Sequence, residues 1–114
     1  MRETSCLGCL GFVLLAWAAC SSEPPRPNNP SCASLGSCFD YTGASWRTGT
    51  TAQQACAAAM GTFSGTQGCA PKDRFGSCTL DGGKPTEYAI RYYPPLTEAA
   101  ARQICSSYNG QYGP

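Results

Sequence analysis

The sequence predicts a small α+β domain in which two helices cover an antiparallel sheet and disulfide bonds hold the layers together. Three observations predict this class: two segments with helical spacing, a hairpin signal between them, and an even number of cysteines beyond Cys20. These cysteines are Cys32, Cys38, Cys56, Cys69, Cys78 and Cys105. The expected domain covers residues 32–114.

Large apolar side chains are scarce in this part of the chain. From Cys20 onward, only eight of the 95 residues are leucine, isoleucine or phenylalanine, and none is valine. Such a composition often gives disorder, but only when the net charge is high. Here seven basic residues face six acidic ones, so we expect disulfides to supply the stability that the core lacks.

The second helical segment lies near the C-terminus. Thr97 is placed to cap its start, and Asn109-Gly110 can supply the left-handed conformation that ends a helix. Four residues have the spacing of one buried helix face: Ala101, Ile104, Cys105 and Tyr108.

The first helical segment resembles the second, since residues 52–63 align with residues 101–112 without a gap. Thr50 and Gln53 have the spacing of a capping box, and Gly61 is placed to end the helix. A Gly-Ser-Cys sequence also recurs, at residues 36–38 and 76–78. We interpret these matches as a diverged two-copy repeat of a strand followed by a helix.

Residues 75–80 and 86–93 have the composition of two strands. Asp81-Gly82-Gly83 between them is a strong turn signal, which predicts a hairpin. In the second strand, alternation places three side chains on one face: Tyr88, Ile90 and Tyr92.

Residues 1–19 have the features of a signal peptide. An uncharged, mostly apolar run of 14 residues extends from Cys6 to Ala19. This run is shorter than the ~20 apolar residues that cross a bilayer. The small residues Ala18 and Ala19 fit a signal-peptidase site and directly precede Cys20.

This junction resembles the lipobox of bacterial lipoproteins, which implies a lipid on Cys20 and attachment to the cell envelope, with the outer membrane as the expected site. Trp17 stands where leucine is usual, so ordinary cleavage after Ala18 and secretion are the alternative. Residues 20–31 would then join the lipid to the domain as a tether, because their four prolines favour extended structure.

Short motifs within the domain carry a second resemblance. They are Gly-Thr-Phe-Ser at residues 61–64, Cys-Ala-Pro at 69–71, Arg-Phe-Gly-Ser-Cys-Thr at 74–79 and Tyr-Tyr-x-Pro at 92–95. Together with the helix that carries Cys105, they look like the modules of small cysteine-rich bacterial lipoproteins. This likeness covers about residues 50–112, and it implies a fold and an exported location but no activity.

Composition excludes several kinds of chemistry. The chain has no histidine, which removes nucleophiles activated by imidazole and most zinc or copper sites. Beyond Cys20 there is no Cys-x-x-Cys pair for redox exchange or metal binding, since the nearest spacing is that of Cys32 and Cys38. The near-neutral charge, with no run of basic residues, argues against binding nucleic acid. We therefore predict no enzyme activity, no metal and no cofactor.

A pair of carboxylates remains as a route to catalysis, in a small hydrolase acting on envelope polysaccharide. The candidate acids are Asp40, Asp73, Asp81, Glu87 and Glu98. Most have simpler roles: Asp81 belongs to the turn, Glu98 suits the first turn of a helix, and Asp73 stands between two basic residues. We therefore prefer the hypothesis that the domain is a binding or structural module over the hypothesis that it is a hydrolase.

Aromatic residues are the best candidates for contacts with an envelope protein or a carbohydrate. Tyr93 and Arg91 alternate with Tyr92 and should lie on the outer face of the sheet. Trp46 would join them if its short segment exposes the indole ring.

The repeat also predicts the disulfide pairing. Cys38 and Cys78 follow the same Gly-Ser, and Cys56 and Cys105 occupy the same helix position. Matching strand-to-helix bonds would therefore be Cys38–Cys56 and Cys78–Cys105, which leaves Cys32–Cys69. The main competitor pairs Cys56 with Cys69 and Cys32 with Cys38.

Overall fold

The structure is a computed structural model that describes residues 24–114. The predicted signal peptide, the acceptor Cys20 and the first part of the predicted tether lie outside this range. In chain order the elements are β1 (Ser31–Ser34), β2 (Ser37–Tyr41), a 3-10 helix (Ala44–Arg47), α1 (Thr51–Ala58), β3 (Thr62–Ser64), β4 (Gly76–Leu80), β5 (Tyr88–Tyr92), α2 (Glu98–Ser107) and β6 (Gln111–Gly113).

The six strands form one antiparallel sheet in the order β3-β1-β2-β5-β4-β6. The predicted α+β class is therefore confirmed. Each half of the chain runs strand, strand, helix, strand, and the halves meet where β2 pairs with β5, with Phe39 opposite Ile90. The β4–β5 hairpin was predicted, whereas the β1–β2 hairpin with Gly36 in its turn was not.

The helix ends follow the sequence signals closely at α2 and less closely at α1. The Thr97 side chain accepts a hydrogen bond from the Ala100 N–H, as expected for an N-cap. At α1 the predicted capping box is absent. The Thr50 hydroxyl instead accepts a hydrogen bond from the side chain of Gln54, one turn further on, at 3.0 Å.

Two of the three predicted disulfides are wrong. Cys78–Cys105 is present, but Cys32 bonds to Cys56 and Cys38 bonds to Cys69. The reason is strand alternation: Cys32 lies opposite Phe39, on the side of the sheet that faces the helices, and Cys38 is next to Phe39 and points the other way. Cys38 therefore cannot reach α1, and the matching Gly-Ser-Cys sequences do not occupy matching strands.

The disulfide bonds also explain the glycines that follow the two helices. The left-handed backbone falls on Met60 and Asn109, both at φ 60°, and not on the glycines. A Cβ atom on Gly61 would lie 2.4 Å from the sulfur of Cys32, and one on Gly110 would lie 2.2 Å from the sulfur of Cys78. These positions are glycine because the disulfides occupy the space of a side chain.

The core lies between the sheet and the helices. One row of paired residues crosses all six strands on this side: Phe63, Cys32, Phe39, Ile90, Cys78 and Tyr112. Tyr88, Ile90 and Tyr92 face the helices as predicted, and Ile90 and Tyr92 are buried. Tyrosine thus replaces much of the missing aliphatic volume.

The opposite face of the sheet is covered by residues 65–75, which we call the strap. The strap is held by the Cys38–Cys69 disulfide and by a hydrogen bond from the Ser31 hydroxyl to the carbonyl of Gln67 (2.6 Å). Residues 27–31, which belong to the predicted tether, also contact this face: the Gly68 N–H donates to the carbonyl of Pro27 (2.7 Å), and Asn29 is buried.

Three disulfides among the described residues are consistent with an exported protein in an oxidising environment. Within residues 24–114, neither α1 nor α2 has the length and hydropathy of a membrane-spanning helix.

Candidate functional site

A buried carboxylate organises the face of the sheet beneath the strap. Asp40 is completely inaccessible to solvent. Its Oδ1 accepts hydrogen bonds from the Cys69 backbone N–H (2.7 Å) and from the Asn29 side chain (3.1 Å), and its Oδ2 pairs with Nε of Arg91 at 2.8 Å. One side chain therefore joins β2, β5, the strap and the N-terminal segment.

Arg91 balances the charge that Asp40 buries. It lies on the outer face, where alternation in β5 was expected to place it, and its side chain is 20% exposed. A second donor, Nη1, reaches the hydroxyl of Ser77 in β4 (3.1 Å). Because two of its donors bind partners within the domain, the main role of this guanidinium is structural.

Tyr93 lies on the same outer face and borders a shallow groove. Its hydroxyl donates to the carbonyl of Ala70 in the strap. The groove has a volume of about 200 Å³, and it runs between the β1–β2 hairpin and the strap, with Tyr93, Ser37 and Cys38 in its lining. This hydrogen bond holds the ring of Tyr93 in place as one wall of the groove.

Trp46 is separate from Arg91 and Tyr93. It packs on the helix side of the sheet, where its ring centroid lies 4.9 Å from that of Tyr41. Its indole N–H donates to the carbonyl of Glu87 at 3.0 Å. The indole is half-buried, so the structure does not gather the three predicted contact residues into one site.

Three tyrosines on the helix side have raised pKa values. Burial is the main cause of the raised pKa for Tyr41 and Tyr88. Burial, with smaller effects from Tyr108 and Tyr112, raises the pKa of Tyr92 to about 12. These phenols stay neutral at physiological pH and act as core side chains.

Three of the other four acids among the described residues are engaged locally. Asp81 accepts a hydrogen bond from the Thr86 hydroxyl (2.9 Å), and Glu87 accepts one from the Gly83 N–H (3.3 Å), both within the β4–β5 turn. Glu98 pairs with Arg102 on the exposed side of α2 at 2.9 Å. Asp73 lies exposed in the strap with its backbone at φ 67°.

The chain matches no family model, no curated protein and no solved structure. Its function must therefore be argued from its own residues. Among residues 24–114, no three acidic or cysteine side chains are grouped as metal ligands.

Asp40 is the residue whose importance the sequence did not reveal. One signal was available: Asp40 stands between Phe39 and Tyr41 in a strand, so alternation turns its carboxylate away from the aromatic face. Its partners could not be identified in the same way, because Arg91 is 51 positions away in the chain.

Proposed function

We propose that this protein is a lipid-anchored component of the bacterial cell envelope. Its disulfide-bonded domain binds another envelope component or supports it structurally. The lipid is attached to Cys20, and the partner is an envelope protein or a carbohydrate. The observation that carries the proposal is the pairing of the cysteines in the domain.

Each of the six cysteines in residues 24–114 is bonded to another of the six. None of them is left to form a disulfide with Cys20. A free exported thiol would be exposed to oxidation and cross-linking. Acylation is the role that accounts for a cysteine directly after Ala18-Ala19 at the end of a short apolar leader.

A role in binding or bracing is supported by how the reactive side chains are used. The cysteines are in disulfides, Asp40 is in a buried ion pair, and the chain has no histidine. A small domain with three disulfides loses little conformational entropy on binding, because its loops are already ordered. The groove beside Tyr93 and the half-buried ring of Trp46 offer aromatic surfaces for such contacts.

Replacing Cys20 by serine tests the anchor. We expect Cys20→Ser to release the protein from the membrane fraction and to abolish labelling by a radioactive fatty acid, because a serine cannot form the thioether that carries the lipid. The matched control is Cys9→Ser, which removes a cysteine of the leader and should leave membrane attachment and labelling unchanged.

Mass spectrometry of the mature N-terminus separates the two processing routes. Lipoprotein processing gives a chain that starts at a diacylglyceryl-modified Cys20, whereas ordinary cleavage after Ala18 gives an unmodified chain that starts at Ala19. Full membrane retention of Cys20→Ser, or a mature chain starting at Ala19, would rule out the lipid anchor.

A further inference from the structure

The N-terminal segment enters the domain on the strap face. The carbonyl of Pro27 accepts a hydrogen bond from the Gly68 N–H at 2.7 Å. Asn29 is buried against Asp40, and Ser31 begins the first strand. The point at which the chain leaves the domain toward Cys20 is therefore fixed at Pro27, beside the strap.

This attachment leaves little free chain between the domain and a lipid on Cys20. Residues 21–26 are six residues, and a chain of six residues reaches no further than about 20 Å at ~3.1 Å per residue. The domain has three layers, the strap, the sheet and the helices, and neighbouring layers lie roughly 10 Å apart. Such a short tether cannot pass around the domain to turn the helices toward the bilayer.

The strap face also carries the excess positive charge of the domain. The strap and the N-terminal segment together hold three basic and two acidic side chains, which leaves a net charge of +1: Arg26, Lys72 and Arg74 against Glu23 and Asp73. The buried pair of Asp40 and Arg91 is neutral as a whole.

The side chains on the rest of the domain are balanced. Three basic residues face three acidic ones: Arg47, Lys84 and Arg102 against Asp81, Glu87 and Glu98. One net positive charge is too little to hold a protein on a membrane by itself, but a lipid anchor raises the effective concentration of this face at the surface.

We propose that the strap face lies against the anionic headgroups of the membrane that holds the anchor, and that the helix face points away from it. This inference rests on the proposed lipid on Cys20. It assigns residues 65–75 and the N-terminal segment to the membrane contact, so that the groove beside Tyr93 would face the headgroups. Trp46 and the two helices then remain available to a partner.

The two lysines of the chain provide an internal test. Lys72 is exposed on the strap. Lys84 is exposed in the β4–β5 turn, next to Pro85, whose carbonyl accepts the N–H of Ser45 in the 3-10 helix. The full-length mature protein is placed in vesicles of phosphatidylcholine with phosphatidylglycerol and treated with a membrane-impermeant amine reagent, and the two labelling rates are read by mass spectrometry.

We expect the labelling rate of Lys72 relative to Lys84 to fall about threefold or more on these vesicles, compared with the same protein in neutral detergent. The fall should be smaller on vesicles of phosphatidylcholine alone. Raising the salt to 1 M shortens the Debye length to about 3 Å and should reverse part of the protection.

A pair of charge variants separates electrostatic contact from simple crowding. Gln67→Glu adds a negative charge to the strap face, and Gln103→Glu adds one to α2 on the helix side; both side chains are exposed. On the anionic vesicles, Gln67→Glu should raise the relative labelling of Lys72, and Gln103→Glu should not.

The labelling experiment distinguishes an incorrect orientation from a missing lipid anchor. A protein that enters the vesicles and shows the same ratio of Lys72 to Lys84 labelling as in detergent overturns the orientation alone. A mature protein that remains outside the vesicles, with no lipid on Cys20, overturns the anchor and the orientation with it.

Discussion

Gly61 and Gly110 show how a single residue type is imposed by a disulfide bond. Each glycine donates its N–H to the carbonyl of the helix cysteine, Cys56 or Cys105, at 3.0 Å. The chain therefore turns directly beside the two sulfur atoms. A side chain at either position would have to displace the disulfide or the strand that follows it.

Gly110→Ala should lower the free energy of unfolding by about 2–3 kcal/mol, because the added Cβ would overlap the sulfur of Cys78 and strain or open the Cys78–Cys105 bond. The measurement is urea unfolding followed by Trp46 fluorescence, together with titration of free thiols. Gly113→Ala is the matched control, since a Cβ there meets no atom within 4 Å. Unchanged stability of Gly110→Ala with all six cysteines oxidised would contradict this explanation.

Asp40 is a second residue whose identity depends on distant partners. Three donors converge on its carboxylate, from Asn29, Cys69 and Arg91. A buried ion pair adds little net stability when both members are present, but removing one member leaves the other charge uncompensated. Asp40 therefore fixes the position of the strap over the sheet more than it adds to the total stability.

At the scale of elements, the strap is the connection between the two halves of the chain. It runs from the end of β3, at one edge of the sheet, to β4 in the other half. Its last residue, Phe75, donates its N–H to the carbonyl of Tyr92 and packs against the core. Before Phe75 the contacts with the sheet are few and specific: the Cys38–Cys69 bond, the hydrogen bonds of Asp40 and Ser31, and that of the Tyr93 hydroxyl. A segment with few apolar contacts is expected to open locally before the core does.

Removing the strap disulfide should loosen the strap without unfolding the domain. We expect Cys38→Ser/Cys69→Ser to lose about 2–4 kcal/mol of stability and to be cut by trypsin after Lys72 or Arg74 at least about tenfold faster than the wild type, while Trp46 fluorescence stays native.

The comparison variant is Cys78→Ser/Cys105→Ser, which keeps the strap disulfide but removes a bond buried in the core. This variant should lose native Trp46 fluorescence and be cut at many sites. Equal trypsin rates for the wild type and Cys38→Ser/Cys69→Ser would show that hydrogen bonds alone hold the strap.

For the molecule as a whole, the scarcity of aliphatic residues is offset by disulfides and aromatic rings. Two core clusters, one in each half, share the side chains of Phe39 and Tyr88, whose rings stack at 5.8 Å across the central strand pair. Tyr92 is 1% exposed, and its hydroxyl has no hydrogen-bond partner among the described residues. A core built from phenols is sensitive to alkaline pH.

We expect the domain to lose stability as the pH rises above about 10, where the tyrosines of the unfolded chain ionise. Folding raises the pKa of Tyr92 to about 12, so between these values the unfolded state releases a proton that the folded state keeps. The raised pKa values of Tyr41 and Tyr88 act in the same direction. Urea unfolding at pH 7, 9 and 11 measures this loss.

Tyr92→Phe provides the check on that interpretation. The variant should be at least as stable as the wild type at pH 7, because it removes a buried hydroxyl without a partner, and it should lose less stability between pH 9 and 11. Tyr108→Phe is the control, since Tyr108 is 51% exposed. An identical pH dependence in the wild type and Tyr92→Phe would exclude Tyr92 as a source of the alkaline loss.

Local patterns in the sequence were sufficient to predict the fold class, α2 with its Thr97 cap, the β4–β5 hairpin and the tyrosine face of β5. Each of these depends on neighbours within a few residues: spacing along a helix, a turn composition, or alternation in one strand. The three-residue strands β3 and β6 are too short to carry such a pattern, and they form because the edges of the sheet offer hydrogen bonds.

The disulfide pairing and the partners of Asp40 were decided only by the tertiary structure. Cys32 and Cys38 are six positions apart and both lie in strands, yet they point to opposite faces of the sheet and therefore bond to different elements. Which face is covered by α1 and which by the strap depends on contacts between residues more than 20 positions apart. Spacing along the chain carries no information about such contacts, because they form only when the whole sheet has assembled.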